Sequence, residues 1–195
     1  FALLSIELKK AIMNKRFLFA LLVGIVLSFF AAHDNITNYI VGGFESLDLT
    51  EYQFPSGKSS FTMWIGISSM AVSTARELFF YLMPLLCLLP YAFSMRSEIL
   101  SDYVAQPYTR AGRWPYCLSK AAAVFVSAGL VILIPLILNF VIVSCFAPAR
   151  NADIYDFMYL GMADRCLWVD VFYTHPLLFV ALRCMLDFLI CGIWS

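Results

Sequence analysis

The chain has 195 residues, 62% of them hydrophobic and 13% charged, with zero formal net charge and a mean hydropathy of +0.83. That leaves too little polar surface to cover a water-soluble globule, so the composition describes an integral membrane protein. Without a basic excess to neutralise phosphates, nucleic acid is excluded as a partner.

The first element is a helix expected over residues 1–16, "FALLSIELKKAIMNKR". Leu4, Leu8, Ala11 and Ile12 line one side, while Glu7, Lys9, Lys10 and Asn14 occupy others. This is the pattern of a helix lying in the headgroups. It leads into a first apolar span at 17–32, "FLFALLVGIVLSFFAA", short against the roughly 20 residues a bilayer core needs. No small-residue cleavage site follows, so this span is not a removable signal. Residues 33–75 form an acidic loop in which Asp34, Glu45, Asp48 and Glu51 face a single Lys58. Within it, 59–73, "SSFTMWIGISSMAVS", reads as an interfacial or re-entrant helix leading into the second span rather than a further crossing. Gly57, Lys58 and Ser59 imitate the tail of a phosphate-binding loop, but the earlier glycine is replaced by Tyr52, so a nucleotide site is not expected.

The second span is expected at 78–93, "LFFYLMPLLCLLPYAF", bent by Pro84 and Pro90. In the following loop, 94–120, Met95, Ile99 and Tyr103 fall at helical spacing and Leu100 with Val104 widens the stripe. Ser94 or Ser97 can cap this short helix, Glu98 and Asp102 lie one turn apart, and Pro107 ends it. The third span is the clearest, at 121–146, followed by a second acidic loop at 147–175. A fourth span begins near Pro176 and still continues at "FLICGIWS"; with Phe1 at the other end, residues are expected beyond one or both ends.

Loop charges orient the chain. Lys9, Lys10, Lys15 and Arg16 belong inside with Arg96, Arg110, Arg113 and Lys120, whereas the acidic loops at 33–75 and 147–175 belong outside. The alternation runs without conflict and sets the N-terminus in the cytoplasm. Within the spans, Arg183 and Asp187 lie four apart on the fourth, where a charge costs roughly 2.5–3.5 kcal/mol, so they are expected to pair or to line a translocation path. Asn139, four residues after Pro135, is open to the same two readings, packing or substrate contact. Arg76 and Glu77 read as interfacial anchors, and His33 and His175 have no ligand partners at metal spacing. Six cysteines show no metal or redox spacing, and a pairing of Cys145 with Cys166 stays open.

The segments "ELKKAIMNKRFLFALLVGIVLS", "PLLCLLPYAFSMRSEI", "YTRAGRWPYCLSKAAAVFVSAGLVILIPLILN" and "YTHPLLFVAL" together resemble the permease subunits of ABC-2-type ATP-binding-cassette transporters. The resemblance is particularly to the small bacterial permeases of peptide, lantibiotic and drug export or self-immunity. The resemblance implies one all-α, polytopic permease domain over 1–195, with four of about six transmembrane helices visible. It also implies a bacterial plasma-membrane location, a second permease subunit, identical or different, and lipid around both. No cofactor is expected on this chain and no catalysis, with ATP and Mg held by separate cytoplasmic ATPase subunits. The loop helix becomes the family's coupling helix, with Glu98, Ile99, Leu100, Asp102, Tyr103, Val104, Arg110 and Arg113 as its docking residues. Glu98 matches the family's acidic residue, and Thr109, Arg110, Arg113, Tyr116, Ser119 and Lys120 match its "TR…R…Y…SK" run. The sequence departs from many relatives in having no glycine soon after Glu98 and in carrying Pro107 and Pro115.

The expected function is export of an amphipathic peptide, lipid or drug. The alternative is a non-transporting scaffold, sensor or channel subunit. A membrane enzyme would need convergent catalytic groups, and no such spacing is present.

Overall fold

The structure is a computed structural model that describes residues 2–45, 59–67, 73–90, 98, 112–149, 151 and 167–195, with the backbone alone at 2 and 38–45. Among the described residues the chain forms helices and no strands. Helix α1 spans Ala2–Ile12, inside the expected N-terminal helix. Asn14 starts the next one: its Oδ1 accepts the Arg16 N–H at 3.1 Å, satisfying a donor that a helix start leaves unbonded.

Helix α2 runs over Lys15–Glu45, well past the expected end at residue 32. The apolar stripe explains the extension. Ala32 and Ile36, one turn apart, both belong to a cluster with Met63, Val143, Ala147 and Ile142, so the helix keeps a face to bury after its polar residues begin. A four-residue helix, α3, spans Ser60–Met63 within the region read as interfacial or re-entrant.

Helix α4, Thr74–Leu88, covers most of the expected second span. With 15 residues and Pro84 inside, it is shorter than a bilayer core requires, and 91–93 lie outside the described residues. Helix α5, Arg113–Phe146, begins before the expected third span because Pro115 sits in its first turn, where a missing N–H costs nothing. Helix α6 is Val169–Thr174, and α7 is Pro176–Trp194, opened by its proline. Lys15–Thr37 within α2, together with α5 and α7, are long and apolar enough to cross a membrane. On α2, Leu18, Phe19, Leu22, Phe29 and Phe30 are all more than half exposed. In water such a surface would drive association; in a bilayer it faces solvent of its own kind.

The described chain divides into two compact units. The first comprises Phe1–Gly24, Phe80–Ile134 and Leu186–Ser195. In it α5 and α7 approach closely through reciprocal glycine and phenylalanine contacts. Phe125 and Phe188 meet edge to face at 5.6 Å, and an added Cβ would lie 2.4 Å from Phe188 at Gly129 and 2.5 Å from Phe125 at Gly192. Small residues let helix backbones approach where lipid offers no hydrophobic driving force. The second unit comprises Ile25–Phe79 and Pro135–Met185. Its interior holds the Ala32 cluster, Phe61 and Trp64 against Phe140, and Phe172 against Phe179.

Candidate functional site

In the first unit, acidic and basic side chains from three stretches of sequence converge on Glu98. Tyr116 and Lys120 stand one helical turn apart near the start of α5, and both donate hydrogen bonds to Glu98 Oε2. Lys120 Nζ also reaches Tyr116 Oη at 3.4 Å. From α1, Lys10 Nζ lies 3.8 Å from Glu98 Oε1 and 3.6 Å from a carboxylate oxygen of Glu7. The sequence Glu7, Lys10, Glu98, Lys120 thus alternates in sign and links the N-terminal helix, the loop after α4 and the base of α5.

Burial gives this network its weight. Lys120 is 2% exposed and Tyr116 fully buried, and an ammonium at that depth requires a counter-charge. Burial pushes the Glu98 carboxyl toward its neutral form, but the hydrogen bonds from Lys120 and Tyr116 and the charges of Lys120 and Lys10 outweigh it, holding the carboxyl below its ordinary value. Glu98 is therefore an ionised tether. Nearby, Asn14 Nδ2 donates to the Pro90 carbonyl at 3.1 Å, a second link between the α1–α2 junction and the residues just after α4.

Among the other residues expected at the coupling site, Arg113 is exposed at the start of α5. Ile99, Leu100, Asp102, Tyr103, Val104 and Arg110 lie outside the described residues. The sequence resemblance named Tyr116 and Lys120 beside Glu98, and the charge pattern named Lys10, but neither joined them into one network. Their signal was present: Tyr116 and Lys120 at i, i+4, and Lys10 on the polar side of an amphipathic helix.

The intramembrane residues divide between the units. Asp187 on α7 is buried in the first, and Arg183, half-buried, belongs to the second. Asn139 is also fully buried in the second, with both ends of its amide engaged. Its Oδ1 accepts the Ile65 N–H at 2.9 Å, and its Nδ2 donates to the Ser28 carbonyl at 2.8 Å. Ser28 Oγ in turn donates to the Pro135 carbonyl at 2.8 Å. Around Asn139 the backbone of 59–67 is secured by further side chains that the sequence did not single out for this task. Asn35 Nδ2 donates to the Met63 carbonyl, and Arg76 Nε to the Ile65 carbonyl at 3.1 Å. Cys145 is a free thiol, and its candidate partner Cys166 lies outside the described residues.

The described residues therefore define a class: they are all-helical, with three helices suited to crossing a membrane, compatible with a multi-pass membrane protein. Comparison with family models, curated proteins and solved structures yields no match to this chain.

Proposed function

We propose that the chain is a permease subunit of an ATP-binding-cassette transporter, exporting an amphipathic peptide, lipid or drug with ATP hydrolysed by a separate cytoplasmic ATPase. The observation that carries this reading is the tethering of Glu98 to α1 through Lys10 and to α5 through Tyr116 and Lys120. A loop that transmits force needs rigid attachment to the elements it moves; the buried Tyr116 and Lys120 supply it at α5, and the more exposed Lys10 adds a charge link to α1. Glu98 is also the residue that the family resemblance puts at the start of the coupling helix. In this reading the apolar stripe of Ile99, Tyr103 and Val104 meets the ATPase, and Glu98 passes its displacement to the headgroup helix and to α5.

The test is to purify the tagged full-length protein from its native membrane in mild detergent and identify its companions by mass spectrometry. A stoichiometric ATPase, lost when Ile99, Tyr103 and Val104 are changed to aspartate while expression holds, supports the proposal. Recovery of no ATPase under several gentle conditions refutes it in favour of a scaffold, sensor or channel subunit.

A further inference from the structure

In the second unit, residues 59–67 enter the helical interior and lie there as largely non-helical chain. Ser60 N–H donates to the Pro148 carbonyl at 3.1 Å, just beyond the end of α5. Five residues on, Ile65 N–H meets Asn139, roughly 10 Å back along the α5 axis from Phe146. Every residue at 59–67 is buried, yet after the single turn of α3 the backbone turns extended at Trp64 (φ −75°, ψ 158°). Non-helical backbone at membrane depth survives only where protein or a wet cavity satisfies it. Here Asn35, Asn139 and Arg76 do so, a clamp of side chains in place of the bonds a helix makes for itself.

Among the described residues, three side-chain donors of the same segment find no acceptor: Ser59 Oγ, Ser60 Oγ and Trp64 Nε1, on residues no more than 2% exposed. Buried donors without partners are rare, and three within six residues mark a state held at a cost. Trp64 folds back over Gly66, where an added Cβ would lie 2.2 Å from the indole, so this closed arrangement admits only glycine at that position.

We propose that residues 59–67 form a re-entrant gate. Clamped, the segment fills the interior of the second unit; released, it gives Ser59, Ser60 and Trp64 to oxygen acceptors, either water or the polar end of an amphipathic solute. The two states exchange one set of satisfied groups for another, because release frees the backbone amides and carbonyls to water while it satisfies the three side chains. A segment with two such arrangements is the kind of bistable element from which conformational switches are built. The inference is independent of any partner ATPase.

Ser60→Cys, in a chain whose six native cysteines are replaced by alanine, reports the gate in lipid nanodiscs through its rate of reaction with a water-soluble methanethiosulfonate. With the clamp intact, labelling is slow compared with an exposed Thr174→Cys control. Asn139→Ala, or independently Asn35→Ala, accelerates it about tenfold, the factor expected for loss of roughly one hydrogen bond of the clamp. A buried Ser127→Cys control on α5 stays slow in the same variants. Rapid labelling of the intact chain, rates indifferent to both clamp substitutions, or equal acceleration at Ser127→Cys in both variants overturns the gate.

Discussion

Lys120 depends on one carboxylate more than on any general feature of its surroundings. Glu98→Gln removes the carboxylate charge that pairs with the buried ammonium, a change that costs on the order of 3 kcal/mol. Thermal unfolding in a single detergent should show that loss, and the double variant Glu98→Gln with Lys120→Met should unfold later than Glu98→Gln alone, because an apolar side chain needs no partner. The pH dependence has a definite sign. Because the carboxyl titrates below its ordinary value of 4.5, its contribution is complete above that value and is lost as pH falls through the lower folded value. The stability difference between the native chain and Glu98→Gln should hold constant from pH 7 to about 5 and close at more acid pH.

At the scale of elements, the first unit rests on helices that approach closely. Gly129→Ala drives a methyl into the Phe188 ring, and overpacking of this kind costs about 1–3 kcal/mol. Adding Phe188→Leu to Gly129→Ala should recover part of the loss in the same unfolding assay, since the smaller side chain makes room for the methyl. Helices α4 and α7 offer a chemical check on their packing, because the buried, unbridged thiols of Cys87 and Cys191 are neighbours. Mild oxidation with copper phenanthroline should join them within one chain, detected as a linked peptide pair by mass spectrometry and absent from Cys191→Ala. Failure to link them in the membrane would contradict the adjacency of α4 and α7.

For the whole molecule, the question is which end of each long helix faces the cytoplasm. Cys117 and Cys145 lie near opposite ends of α5, a helix of 34 residues and so about 50 Å long. Under the charge-based orientation, a membrane-impermeant maleimide applied to intact cells labels Cys145 and spares Cys117 until the membrane is opened. Labelling of Cys117 first would reverse the expected topology and, with it, the cytoplasmic position that the charge pattern predicts for Glu98.

The sequence by itself determined the membrane class, the helical architecture and the approximate position of each apolar helix, because hydropathy and periodicity are local properties of the chain. It also singled out Asn139, an amide inside a long apolar run, whereas Glu98 was marked by its spacing to Asp102 and by the family resemblance. Helix ends were less legible: α2 continues beyond Ala32 because Ile36 finds apolar partners on Met63 and Val143, which are distant in sequence. Only the tertiary structure decided that Glu98 is held by Lys10, Tyr116 and Lys120, and that Asn35, Asn139 and Arg76 secure a non-helical segment. Those partners are separated by up to 88 residues, from Lys10 to Glu98. The physical reason is that an unmet hydrogen-bonding or electrostatic demand is written in one residue, whereas the group that meets it is chosen by the packing of helices.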